Sequence, residues 1–126
     1  MPYKIMMSIA AIVPLIFLTA FAAVPEFFIL QAYPGAEGLG LEIGITQRYI
    51  MAGMLFIVVC LLFQSRKVEN VDNQKEILLG VAIGFAVMCA VIISMTVFRG
   101  IPLNIPPMIA TGTIAILSFW SRSKLS

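Results

Sequence analysis

Few side chains in this sequence could recognise a charged or polar ligand: Arg48, Arg99, Glu26 and Asn104, with Ser94 and Thr111 among the apolar residues beside them. Two arginines near one level could hold an anionic headgroup or a carboxylate, because a guanidinium presents a planar fork of donors that matches either anion. Thr19, Thr113 and Glu42 belong to the same group, and all fall toward one end of the apolar blocks that carry them. If they converge, they form a shallow polar pocket. The competing reading makes the arginines interfacial anchors paired with loop glutamates, while Ser and Thr hydroxyls bond to backbone carbonyls.

Other chemistries are thinly supplied. The chain has no histidine, which removes the commonest ligand for zinc and the commonest general base near neutral pH. No catalytic constellation, metal site or cofactor site is expected, and an enzyme is the less favoured class. The cysteines, Cys60 and Cys89, sit at depths that differ by ~12 Å if their blocks are helical, beyond the ~7 Å Cα limit for a disulfide. They read as small apolar fillers. Met51, Met54, Met88, Met95 and Met108 read as gap-fillers in packing rather than copper ligands.

These residues are positioned by a chain whose solvent is lipid. Of 126 residues, 61% are hydrophobic and 11% charged, against roughly 25% charged in a soluble domain. The apolar residues come in blocks near the ~20 residues that span a hydrocarbon core. The reading is an all-α integral membrane domain over residues 1–126, a four-helix up-down bundle with helices at about 5–24, 45–63, 77–98 and 105–121. The first block could be a signal peptide, with Lys4 as its basic flank and Ala20-Phe21-Ala22 as a cleavage site; its presence behind Met1 favours a spanning helix, bent at Pro14. Residues 25–47 read as a long outer loop with Pro34-Gly35 as a turn. Within it, Phe27-Phe28-Ile29-Leu30 either lies at headgroup level or continues the first helix. Asn104 is placed to cap the last helix, and Trp120 to anchor its far end in the interface.

Lys and Arg residues set the orientation. Lys4, Arg66, Lys67, Lys75, Arg122 and Lys124 share one side, and Arg48 and Arg99 the other, so the positive-inside rule places both ends in the cytoplasm. The net charge of +2 gives no ground for nucleic-acid binding. No Asp, Glu, Lys or Arg lies near the middle of a block, which weighs against ion-coupled transport. A small four-helix multidrug transporter would be expected to carry a carboxylate in its first helix, and residues 5–24 have none.

The third block carries the packing signal. Gly80 and Gly84 are four apart, and Ala82, Ala86, Ala90 and Ser94 form a second ridge at the same spacing. Such residues let helix backbones approach closely in lipid. They serve either the chain's own bundle or a partner subunit. The polar stretch 65–76 is read as a connecting turn, with docking of a cytoplasmic partner as the alternative.

The outer Pro and Gly segment from Pro25 to Gly44, the run Arg48-Tyr49-Ile50-Met51-Ala52-Gly53, the basic inner turn and the proline-containing loop before the last helix together resemble the DoxX-like group of small four-helix membrane proteins. That resemblance implies a membrane protein sometimes associated with oxidoreductase complexes. The glycine- and arginine-rich first helix usual in that group is missing. The expected role is an accessory or assembly subunit of a larger membrane complex. The alternative is a lipid- or small-molecule-binding protein, which could include an enzyme, using the outer pocket. Expected partners are membrane lipids and either other membrane subunits or further copies of the chain, in a cell membrane of bacterial inner-membrane type.

Overall fold

A computed structural model of the chain describes residues 2–125. The described residues form five helices and no strand: α1 Tyr3–Ala23, α2 Pro25–Ala32, α3 Gly38–Ser65, α4 Val71–Arg99 and α5 Ile105–Lys124. Three of them, α1, α3 and α4, are long and apolar enough to cross a membrane. This is a membrane protein by that criterion. Helix α5 has 20 residues, but its prolines, threonines and serines dilute its apolar content and it stands outside that group.

Local chemistry explains where the helices stop. Val24 precedes Pro25 and leaves the helical region, with φ −136° and ψ 59°, because a proline ring disfavours α geometry in the residue before it. The break separates α2 from α1. Pro25 then opens α2, where its missing N–H is no loss. Tyr33 ends α2 ahead of Pro34 for the same reason that Val24 ended α1. Asn70 caps α4 by accepting from the Asn73 N–H at 3.1 Å. Gly100 closes α4 at φ +68°, and the N–H groups of Gly100 and Ile101 donate to the carbonyls of Thr96 and Met95, the left-handed C-cap that glycine adopts without a Cβ clash.

The segment 25–47, expected as a loop, is largely helical. It contains all of α2 and the first ten residues of α3, which starts at Gly38 rather than near residue 45. Gly38 opens α3 at φ +58°, a backbone conformation that glycine adopts without a Cβ clash, and at Gly44 packing offsets the ~1 kcal/mol that a glycine costs inside a helix. A Cβ there would lie 3.0–3.2 Å from the Ile29 side chain. The bare backbone of Gly44 is what α2 rests on.

Helix α1 packs mainly on α3, and α4 mainly on α5; α2 lies on α3, and α1 makes a smaller contact with α5. Neighbours run antiparallel. The base of the bundle, where α1 and α4 begin and α3 and α5 end, holds the core: Tyr3, Met6, Met7, Ala10, Ala11, Leu62, Leu78, Val81 and Ile114. Two long-range bonds fasten it. The Tyr3 hydroxyl donates to the Ser65 carbonyl at 2.7 Å, and Arg122 Nε donates to the Lys75 carbonyl at 3.2 Å. Ser118 and Ser121 of α5 are fully buried, and neither hydroxyl finds a partner among the described residues.

Toward the opposite end, the mouth, the two helix pairs are less closely joined. Among the fully enclosed apolar residues, Met6, Met7, Leu78 and Ile114 all belong to the core at the base.

Candidate functional site

At the mouth, a cleft of about 380 Å³ runs between the α1–α3 pair and the α4–α5 pair. Its walls are apolar and rich in aromatic and sulfur-containing side chains: Phe17 and Phe21 from α1, Met51 and Met54 from α3, Phe85 and Met88 from α4. Three polar residues share it, Arg48, Asn104 and Thr111. Three of the six sequence-nominated ligand residues therefore meet on one cavity. The other three do not line it: Glu26 is exposed in the first turn of α2, Ser94 bonds to its own helix at the Val91 carbonyl over 2.8 Å, and Arg99 is exposed at the end of α4.

Arg48 is the centre of the arrangement. It stands ten residues into α3, about 15 Å from the start of that helix. Counted back from Ser65, the ~20 residues that cross a hydrocarbon core end near Ile45, which leaves Arg48 within one turn of the boundary. Its guanidinium carbon lies 5.2 Å from the centre of the Phe21 ring, a cation–π contact, and Nη1 approaches Met51 Sδ at 3.7 Å. Neither partner carries a charge. Among the described residues no carboxylate pairs with Arg48, so the anchor-to-glutamate arrangement considered from sequence is not what forms here. Phe21 is itself held by Phe28, edge to face at 4.9 Å, and Phe28 by Phe27 at 5.5 Å, so the aromatic residues of α1 and α2 set the floor under the guanidinium.

Asn104 occupies the N-cap position of α5 but makes no capping bond. Its amide is left able both to donate and to accept. The Thr111 hydroxyl donates to the Pro107 carbonyl at 2.8 Å, with the Met108 carbonyl at 3.2 Å; its oxygen keeps lone pairs for a donor in the cleft. Thr19 and Ser94 are back-bonded in the same way, to Leu15 and Val91. The cleft thus offers one cation, one amide able to donate or accept, and one hydroxyl oxygen able only to accept, beside apolar walls.

A second cavity, about 820 Å³, lies between α3 and the α2 segment, lined by Ile29, Tyr33, Pro34, Gly40, Gly44 and Gln47 among others. Arg48 and Met51 line both cavities. Sequence reasoning did not nominate Tyr33, Gln47, Phe21 or the methionines for this role. The methionines that fill the core are Met6 and Met7, whereas Met51, Met54 and Met88 line the cleft. The available signal was the four-residue spacing of Phe17 and Phe21 and the three-residue spacing of Met51 and Met54, each adding large polarisable groups to one level of a helix face.

The small-residue ridges of α4 divide. Ala82 is fully buried, while Gly80, Gly84, Ala86 and Ala90 are exposed, and no neighbouring side chain comes within 4 Å of a Cβ built at Gly80 or Gly84. Both cysteines are free. No group of three or more His, Cys, Asp or Glu among the described residues could hold a metal ion. No family model matches the chain, and the searches of curated proteins and of solved structures returned no match either.

Proposed function

We propose that the protein is a four-span membrane protein, with both ends in the cytoplasm, that binds an anionic amphiphile in the cleft at Arg48. The carrying observation is an arginine at the hydrocarbon boundary whose contacts are an aromatic ring and a thioether, facing a cavity walled by apolar groups. Among the described residues that cation has no counter-ion, and a bound anion supplies one. The fourth crossing rests on α5, whose 20 residues run antiparallel along α4. The orientation rests on the basic residues of the base, Lys4, Arg66, Lys67, Lys75, Arg122 and Lys124, against Arg48 and Arg99 at the mouth.

Equilibrium binding of tritiated palmitate to the detergent-solubilised protein tests this. A hydrogen bond to a charged group contributes ~1.5–3 kcal/mol, so Arg48→Ala should weaken binding by about tenfold or more. Arg48→Lys keeps the charge but loses the fork, and should recover part of that loss. Lys67→Ala, at the base, should bind as the wild type does. Equal affinity of wild type and Arg48→Ala, with helicity retained in both, would remove the reading.

The exposed Gly80 and Gly84 of α4 favour a second reading, an accessory or assembly subunit that docks on that face. The likeness to the DoxX-like group belongs with this reading. Extraction in a mild detergent followed by mass measurement checks it: co-migration with another membrane protein, lost in Gly80→Leu, supports it, and a stable monomer counts against it.

A further inference from the structure

The two cavities share Arg48 and Met51, and the α3 residues that line them follow one another at helical spacing. Gly40, Gly44, Gln47 and Met51 face the outer groove; Met51, Leu55 and Val58 face the cleft. These positions recur every three or four residues and so form one stripe, extending ~27 Å from Gly40 to Val58 at 1.5 Å per residue. Arg48 stands within that track, ~12 Å below Gly40 and ~15 Å above Val58.

We infer that the groove under α2 and the cleft below it are two compartments of a single site, and that its ligand is a single-chain phosphodiester amphiphile, with a hydroxyl-bearing head on one side of the anion and one apolar chain on the other. The inference rests on the proposed binding of an anionic amphiphile at Arg48. In such a ligand the anion lies between head and chain rather than at one end. A fatty acid ends at its charge, so with its carboxylate at Arg48 it fills the cleft and leaves the groove of about 820 Å³ empty. A phosphodiester carries substituents on both sides of its charge and fills both. Tyr33 and Gln47 line the groove and supply a hydroxyl and an amide for the hydroxyls of a head. The cleft, at about 380 Å³, lies near the lower end of the roughly 300–1,000 Å³ of small-molecule sites, which suits one chain rather than two. A single cation matches the single negative charge of a diester.

The contact that seats α2 and the free space of the groove lie at different glycines. Gly44 lets α2 rest on α3 through Ile29, and nothing lies within 4 Å of a Cβ built at Gly40. A large side chain at Gly40 therefore enters the groove without displacing α2.

Displacement of tritiated palmitate from the full chain in maltoside detergent provides the test, with palmitoyl-lysophosphatidylglycerol, unlabelled palmitate and dipalmitoyl-phosphatidylglycerol as competitors. The lysophospholipid should compete about tenfold better than palmitate, and the two-chain lipid worse than the lysophospholipid. In Gly40→Trp the advantage over palmitate should fall to about onefold while palmitate itself still binds; Ile43→Trp, which enters the same groove from an exposed position, serves if the first variant does not fold. Equal competition by lysophospholipid and palmitate in the wild type, or an advantage that survives both tryptophans, overturns the two-compartment site and leaves the Arg48 reading standing. Palmitate binding that is indifferent to Arg48→Ala overturns both.

Discussion

At the scale of single residues, the structure separates polar groups that are spent from those that are available. Thr19, Ser94 and Thr111 each donate to a carbonyl of their own helix, which is how a hydroxyl is accommodated in an apolar helix. Arg48 and Asn104 are not spent in that way: one sits over an aromatic ring and the other stands at a helix start without capping it. Ser118 is the opposite case, fully buried with its hydroxyl unpartnered among the described residues. Removing an unsatisfied buried group relieves a cost of ~1–3 kcal/mol. Ser118→Ala should therefore leave the thermal midpoint unchanged or raise it, as read by scanning calorimetry in detergent, and a clear fall would show that the hydroxyl has a partner. The sequence made Arg48, Asn104 and Thr111 visible because polar residues are rare in an apolar chain. Phe21, Met54 and Phe85 were not legible as cleft lining, because an apolar side chain facing a cavity looks the same in sequence as one facing lipid.

At the scale of elements, α2 and the first turns of α3 were the part of the fold that composition misread. Glycines at 38, 40 and 44 look like loop residues, yet α3 runs through the last two because Ile29 packs on the bare backbone at Gly44. The information lay in a contact between segments fifteen residues apart, which a local pattern does not contain. Gly44→Leu should lift α2 from α3, and limited proteolysis in the Tyr33–Glu37 turn should then quicken while the base stays folded; an unchanged cleavage rate would mean that α2 is held by something else. Gly100 is a local case by contrast, since α4 ends on it in the left-handed conformation with Pro102 two residues beyond. At φ +68° an added Cβ costs ~1–2 kcal/mol. Gly100→Ala should lower the thermal midpoint, and no change would place the strain elsewhere.

At the scale of the whole molecule, the packing is uneven. A base tied by the Tyr3 and Arg122 hydrogen bonds and by the methionine, leucine and isoleucine core supports two helix pairs that leave a cleft between them at the mouth. The membrane character and the all-helical class could be read from block length and charge scarcity alone. The cleft could not, because it depends on which helix pairs with which, and here it lies between the α1–α3 and α4–α5 pairs. What fills that cleft decides the function of the protein. Native mass spectrometry of the protein released gently from its membrane addresses this most directly. The wild type should carry one retained molecule, of a mass matching a single-chain anionic amphiphile, and Arg48→Ala should lose it; a wild type that flies bare, or a variant that keeps the same adduct, would contradict the assignment of the cleft.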